Sequence, residues 1–259
     1  MDKLLISEIR ELSLIDVIGH PSIVIWLPYC NFRCPWCQNT PIVNGTIVKE
    51  ISIDYLRELF SSSRSLVECV HVTGGEPTLH KETLRAIYEI AKENNLMTSL
   101  DTNGSNPDVV DELVRESLLD HLALDIKAPL DDIVLYSKVT GLPLHSINDV
   151  VKRIMKSIEI VFKNKLEVEL RTTLIPDLNV NDIDAIASYV SRMINKYDNY
   201  EKCMYVLQQF IPSETVRDPY YKRQKPTSAD DMIKLAQLIK KKYNLRVYVR
   251  SLDKGIIRL

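Results

Sequence analysis

The stretch CVHVTGGEPTLHKETLRAIYEIAKENNLMTSLDTNG (residues 69–104) contains two short apolar runs separated by an amphipathic segment. The runs, residues 69–75 and 97–104, lack the strict alternation of apolar and polar residues that marks a strand with one exposed face, which is typical of parallel strands covered by helices. Residues 83–95 between them have a helical pattern. A strand, a helix and a second strand in this order predict a right-handed βαβ unit with parallel strands.

The same alternation of strand-like and helical segments extends in both directions along the chain. Strand-like runs and helical patterns are found at SIVIWLP (22–28), NPDVVDELVRESL (106–118), HLALDIKA (121–128), LEVELRTTLIP (166–176), NDIDAIASYVSRMINKY (181–197), MYVLQQF (204–210), SADDMIKLAQLIKKKY (228–243) and LRVYVRS (245–251). This order predicts the α/β class, with a barrel-like or doubly wound parallel sheet. We expect Asn106 to cap one helix and Asn181 or Asp182 another, and residues 220–227 to form a mobile loop.

Composition predicts an ordinary globular protein. The chain has 259 residues, 45% of them hydrophobic and 26% charged, which is enough for one large α/β domain. Its first residues, MDKLLISEIRELSLID, carry charges every few positions and predict neither a signal peptide nor a membrane anchor. Three of the five cysteines lie within eight residues, an arrangement that favours the reducing cytoplasm over a disulfide framework.

Charge is distributed unevenly along the chain. The formal net charge is −2, yet residues 217–250 contain ten Lys or Arg and three Asp. This basic region is compatible with a solvated helix and loop, or with a surface that binds an acidic protein or nucleic acid.

The clustered cysteines, in YCNFRCPWCQN (residues 29–39), have the spacing C-x-x-x-C-x-x-C. Structural zinc and electron-transfer iron–sulfur clusters normally take four protein ligands. Cys69 and Cys203 adjoin apolar strands, and we expect both to be small buried hydrophobic residues. Three thiolates on a four-iron cluster would leave one iron open to the amino and carboxylate groups of a small molecule.

Polar residues follow several of the apolar runs. The chain has only seven glycines, and Gly74, Gly75 and Gly104 lie at two predicted strand ends. Asp101, Asp125 and Lys127 are at similar positions. Because the carboxyl ends of parallel strands line one rim, these residues predict a ligand site there.

These motifs together resemble one family. CNFRCPWC resembles the cluster loop of the radical S-adenosylmethionine (SAM) enzymes, and TGGEP (73–77) resembles their glycine-rich strand end. The likeness runs from about residue 13 to residue 210. Within the family the chain resembles glycyl-radical enzyme activating enzymes, especially the anaerobic ribonucleoside-triphosphate reductase activating proteins. The resemblance implies a partial (βα)6 TIM-like barrel in a single domain, residues 1–259, with a core at about 20–212. A short N-terminal extension and a C-terminal helix and strand (about 213–259) would complete it.

The resemblance also implies site residues. Cys30, Cys34 and Cys37 would hold a [4Fe–4S] cluster, and Trp36 would lie against the SAM adenine. The SAM amino acid group would meet Gly74, Gly75 and Glu76, with Lys127 near its carboxylate. Asp101, Thr102 and Asp125 would hold a monovalent cation, and Arg171 is a further SAM contact. Where the pyruvate formate-lyase activator has a histidine, this chain has Phe210, which implies apolar stacking at that point.

The implied activity is reductive cleavage of SAM to a 5′-deoxyadenosyl radical that abstracts hydrogen. The implied substrate is a glycine of a partner glycyl-radical enzyme, and a flavodoxin or ferredoxin would be the electron donor. Two alternatives remain open from the sequence. One is modification of a nucleoside, tRNA or small metabolite, with RNA held by the basic region. The other is a non-catalytic cluster that senses redox state or carries electrons.

Overall fold

The structure, a computed structural model, describes residues 3–259. Residues 1 and 2, where the predicted domain begins, lie outside the described residues. The chain forms two compact units. The first contains the chain up to Asn31 with Asn39–Thr102 and Asn106–Ala123, and the second contains Phe32–Gln38, Asn103–Ser105 and Leu124–Leu259.

The first unit alternates strands and helices after an N-terminal pair of strands. Its elements are β1 (Lys3–Ile6), β2 (Glu8–Ser13), β3 (Ser22–Leu27), α1 (Thr40–Val43), β4 (Lys49–Ser52), α2 (Ile53–Ser63), β5 (Cys69–Gly74), α3 (Lys81–Glu93), β6 (Met97–Thr102), α4 (Pro107–Arg115) and the start of β7 (His121–Asp125). The strand order is β2-β3-β5-β6-β7, and β1 pairs separately with β4. Strands β3, β5 and β6 are parallel, with Val70 opposite both Ile23 and Thr98.

The second unit continues this alternation from the last residues of β7. Its elements are α5 (Ile133–Thr140), α6 (Leu144–Lys163), β8 (Glu167–Leu174), α7 (Val180–Tyr197), β9 (Cys203–Gln209), α8 (Pro219–Lys222), α9 (Ala229–Tyr243), β10 (Val247–Ser251) and β11 (Gly255–Arg258). The strand order is β8-β9-β10-β11. Tyr205 of β9 lies opposite Leu170 and Val247 in parallel pairs, and β11 pairs antiparallel with β10. The α/β class with a parallel sheet is therefore confirmed.

The core strands are apolar because both sheet faces are covered. Val70, Val72, Leu170 and Val206 are all fully buried, as expected for parallel strands between helices. No helix of the described chain is long and apolar enough to span a bilayer.

Local details correct three predictions. Helix α7 is capped by Asn179, not by Asn181 or Asp182, because the Asn179 side chain accepts from both of those amides. Asn106 does precede α4, but its side chain makes no cap. The first residues of the expected mobile loop (220–227) belong to helix α8 instead, and Tyr221 within that helix is buried.

Candidate functional site

The end of β5 is pressed against the chain segment that leads to Cys30. The amide of Gly75 donates to the Leu27 carbonyl at 2.9 Å, and that of Glu76 to the Tyr29 carbonyl at 2.8 Å. A Cβ on Gly75 would lie 1.8 Å from the Tyr29 oxygen, and Gly74 has a φ of +125°. Glycine is therefore required here by close backbone approach and by conformation.

Glu76 is completely buried at this strand end. Its Oε1 atom accepts from the Thr78 amide at 3.1 Å, the Thr78 hydroxyl at 2.5 Å and the Thr102 hydroxyl at 2.8 Å. These three hydrogen bonds satisfy an oxygen that burial removes from water. The Thr78 hydroxyl also accepts from the Asn106 side chain at 2.8 Å, which is the contact that replaces the expected helix cap.

A series of polar side chains in contact with one another leads from Asp101 into the buried part of the sheet, and it was not predicted from the sequence. The Asp101 carboxylate accepts from the Thr73 hydroxyl at 3.0 Å and lies 3.3 Å from His71 Nε2. His71 Nδ1 is 2.8 Å from the Ser99 hydroxyl, which is 2.7 Å from His121 Nδ1. Two-residue spacing, from His71 to Thr73 and from Ser99 to Asp101, places each pair on one strand face. This two-residue spacing was the sequence feature that could have indicated these contacts.

The second unit contains the later part of the cysteine loop. The Trp36 indole donates to the Val139 carbonyl at 2.8 Å, and the Arg33 amide donates to the Thr140 carbonyl at 2.9 Å. The Cys37 amide donates to the Cys34 carbonyl at 3.2 Å and closes a turn between the two cysteines. Helix α5 therefore fixes the orientation of the Trp36 ring and of this loop.

Lys127 connects this loop to the end of β7. Its ammonium is 2.9 Å from the Asp125 carboxylate and lies over the Trp36 ring, 5.1 Å from the centroid. Burial acts to lower the Lys127 pKa, but the charges of Asp125 and of the Cys34 sulfur outweigh it and hold that pKa above its usual value. Lys127 therefore stays cationic near the Cys34 sulfur.

Arg171 lies in a buried ion pair. Its Nε and Nη2 atoms each lie 2.7 Å from the Glu169 carboxylate, and Arg250 Nη2 lies 3.4 Å from the same carboxylate. This geometry gives Arg171 a structural partner that the sequence did not reveal. Phe210 is also buried, and its ring meets Tyr221 edge-on at 6.2 Å between centroids.

The comparisons with known proteins agree with the motifs and the fold. A sequence model of the radical SAM superfamily matches residues 24–190, well over half of the chain. The chain belongs to the radical SAM superfamily.

Two relatives of this radical SAM enzyme indicate its position within the superfamily. The chain is 32% identical to a candidate glycyl-radical enzyme activating enzyme, MJ1227, of Methanocaldococcus jannaschii, over 97% of this chain and 98% of that protein. It is 28% identical to the pyruvate formate-lyase-activating enzyme of Clostridium pasteurianum, over 58% of this chain and 62% of that protein. The resemblance to activating enzymes is therefore confirmed at the level of sequence similarity.

Other comparisons concern proteins with different activities. A 7-carboxy-7-deazaguanine synthase of Bacillus subtilis is 26% identical over 61% of this chain and 64% of its own length. Among solved structures, methylornithine synthase has a TM-score of 0.59 at 14% identity, covering 87% of this chain and 63% of that one. The structural likeness supports the fold alone, and the radical SAM fold class is confirmed.

The cysteines match the cluster that the superfamily implies by residue type alone: within residues 3–259 no group of three Cys, His, Asp or Glu side chains lies close enough together to hold a metal ion. None of the five is in a disulfide; Cys30 and Cys37 are half-buried and Cys34 is buried. Thiolates are the ligands that iron–sulfur clusters take, so these three thiols on one loop are the right donors chemically, and Lys127 places a positive charge near Cys34. Cys69 and Cys203 are fully buried in β5 and β9, as predicted. Burial raises the pKa of the Cys203 thiol to about 12.

Proposed function

We propose that this radical SAM enzyme removes a hydrogen atom from the Cα of a glycine in a partner protein and leaves a glycyl radical there. The observation that carries the proposal is the similarity to the activating enzyme MJ1227, which extends over 97% of this chain and 98% of that relative. A match confined to the shared superfamily core would not favour one substrate class over another. The similarity to a pyruvate formate-lyase-activating enzyme supports the same class.

In this proposal Cys30, Cys34 and Cys37 hold the [4Fe–4S] cluster. When bound and reduced, the cluster supplies the electron that cleaves SAM to methionine and a 5′-deoxyadenosyl radical. Lys127 keeps positive charge near Cys34. The Trp36 ring, fixed by its bond to Val139, offers an apolar face for the adenine.

The strand ends would orient the amino acid part of SAM. Gly74 and Gly75 let the backbone approach closely, and Glu76 supplies a buried negative charge for an amino group. Asp101 is half-buried and oriented by Thr73, so its carboxylate is positioned to bind a cation. We extend the proposal to a monovalent cation held by Asp101, Thr102 and Asp125, with Lys127 and Arg171 as partners of the SAM carboxylate.

The test uses a glycyl-radical enzyme encoded in the same genome, produced with deuterium at the glycine Cα. The anaerobically reconstituted enzyme is incubated with this partner, SAM and dithionite. The proposal requires one deuterium atom in the 5′-deoxyadenosine, read by mass spectrometry, and a radical signal on the partner. A partner whose radical glycine is replaced by alanine is the control. SAM cleavage without deuterium transfer or a partner radical would reject glycine as the substrate.

A second candidate function is modification of a nucleoside or a small metabolite. It is favoured by the similarity to 7-carboxy-7-deazaguanine synthase, which covers 61% of this chain. RNA would be the substrate if the basic region, residues 217–250, binds phosphates. Binding of tRNA that weakens steeply with salt, together with loss of a modified nucleoside in a deletion strain, would support this function. A wild-type pattern of nucleosides and metabolites in that strain would argue against it.

A further inference from the structure

The segment after β9 is bound directly to the cysteine loop. We call residues 213–225 the strap. The Asp218 amide donates to the Pro35 carbonyl at 2.9 Å, and the Thr215 hydroxyl donates to the Gln38 carbonyl at 2.6 Å. Pro35 directly follows Cys34, and Gln38 directly follows Cys37. The strap therefore contacts the residue that follows each of the two cysteines of the second unit.

The inner side of the strap is firmly anchored. Tyr221 is only 4% exposed, and its hydroxyl donates to the Asp177 carboxylate at 2.5 Å. The same carboxylate pairs with Lys138 at 2.6 Å. The Asp218 side chain accepts from the Tyr220 amide at 2.8 Å and caps α8. A segment held in this way has a fixed outer surface.

The strap carries a small excess of positive charge: residues 213–225 contain four Lys or Arg and two acidic residues, of which Glu214 is fully exposed and lies 4.0 Å from Lys222. Arg223 and Lys225 are both exposed. The side chain of Tyr220, which lies between Asp218 and Arg223 in the sequence, is half-exposed. The Lys138 side chain is 65% exposed and reaches the strap through Asp177. Arg33, within the cysteine loop itself, is also exposed. Positive charge beside an exposed aromatic ring is the composition of a site that binds an acidic protein.

We propose that the strap is the docking surface for an acidic, low-potential electron carrier of the flavodoxin type. Each SAM that is cleaved consumes one electron. The carrier must therefore supply one electron per turnover, and it dissociates in its one-electron-oxidised form. The rate of electron transfer falls steeply with distance. A carrier bound at the strap would lie against the loop that contains Cys34 and Cys37. The proposal depends on radical SAM chemistry and not on glycine as the substrate.

The test compares two charge reversals within the basic region. Arg223→Glu with Lys225→Glu changes the strap, whereas Lys240→Glu with Lys241→Glu makes the same charge change on the exposed last turn of α9. Each variant is reconstituted with its cluster. Its affinity for oxidised flavodoxin is measured by calorimetry at low and high salt. The rate of cluster reduction is then measured with reduced flavodoxin and, separately, with dithionite.

We expect the strap variant to bind flavodoxin roughly tenfold more weakly and to be reduced by it correspondingly more slowly. Reduction by dithionite, and the SAM cleavage that follows it, should be unchanged. The α9 variant should differ from the unmodified enzyme by less than about twofold, and salt should weaken binding of the unmodified enzyme.

Three outcomes would overturn the proposal. Equal effects of both variants would mean that net charge, not the strap, controls binding. A strap variant that also slows reduction by dithionite would show that the strap only supports the cysteine loop. Unchanged flavodoxin binding with weakened binding of the glycyl-radical partner or of tRNA would assign the surface to that other macromolecule. None of these results depends on whether glycine is the hydrogen donor.

Discussion

The Thr102 hydroxyl donates a 2.8 Å hydrogen bond to the buried carboxylate of Glu76. The bond joins the end of β6 to the residues that follow β5. It also means that Glu76, which the motif implies for SAM binding, has a structural role in the protein itself. A substitution at this position must therefore be judged by both stability and ligand affinity.

We predict that these two roles can be separated. Thr102→Val keeps the side-chain shape and removes one donor to the carboxylate, and it should lower the free energy of unfolding by about 1–3 kcal/mol. Glu76→Gln keeps an acceptor oxygen but removes the charge, so it should weaken SAM binding by roughly tenfold or more. Urea unfolding and equilibrium dialysis with SAM measure the two effects. Unchanged SAM affinity in Glu76→Gln would exclude an ionic contact with the amino group.

Gly75 should not tolerate a side chain. In Gly75→Ala the new Cβ would overlap the Tyr29 carbonyl oxygen, 1.8 Å away, and the displaced backbone leads directly into Cys30. We expect a loss of about 3 kcal/mol or more in unfolding free energy and less iron bound per chain after reconstitution.

Gly19→Ala is the control for Gly75→Ala. Gly19 has a φ of +88° but no atom within 4 Å of an added Cβ, so its cost should be confined to backbone strain of about 1–2 kcal/mol. Its iron content should stay at the unmodified level. Full iron and stability in Gly75→Ala would contradict the close approach of β5 to the cysteine loop.

Arg171 provides a test between a structural and a ligand-binding role. Arg171→Met removes the paired contacts to the fully buried Glu169 and should destabilise the protein by about 3–5 kcal/mol, because a buried carboxylate loses its main partner. Adding Glu169→Gln should recover part of that loss. Both variants are compared by urea unfolding and by SAM binding. Unchanged stability with a large loss of SAM affinity would instead make Arg171 mainly a ligand contact.

Reactivity should separate the five cysteines. In the cluster-free, reduced protein at pH 8, iodoacetamide should modify the half-buried Cys30 and Cys37, whereas the buried Cys69 and Cys203 should react only after unfolding. Peptide mass spectrometry gives the extent of modification at each site. Rapid modification of Cys203 in the folded protein would contradict its burial in β9.

The same thiol predicts a dependence of stability on pH. The unfolded Cys203 thiol ionises near its ordinary pKa of about 8.5, but in the folded protein its pKa is raised to about 12. The folded state therefore binds more protons in this window, and stability falls as pH rises from about 8.5 towards 12. Between pH 8 and pH 10 the unmodified protein should lose about 1–2 kcal/mol more than Cys203→Ala. Equal losses in urea unfolding would show that Cys203 is not the group responsible.

Much of the fold was predictable because its signals are local. Continuous apolar runs and amphipathic segments gave the parallel strands β3, β5 to β10 and four of the longer helices. The N-terminal strands β1 and β2 were missed: β1 is only four residues long, and the EIRELS sequence of β2 is mostly exposed and lacks an apolar pattern. Helix α6 (Leu144–Lys163) was missed as well.

The sequence by itself determined the chemistry of this protein. The spacing of Cys30, Cys34 and Cys37 places three thiols on one short loop in any conformation, because the chain that joins them is only eight residues long. The order of the motifs then identified the superfamily. These features depend on residue types and short separations, which are visible in a linear sequence.

Only the tertiary structure decided which distant side chains meet. Glu76 accepts from Thr102, which is 26 positions away, and Thr215 reaches Gln38 across 177 positions. Such contacts depend on strand register and on the path of loops, and these are set by packing of the whole fold. A local pattern contains no record of them, so the partners of Glu76, Asp101 and the strap could be found only in three dimensions.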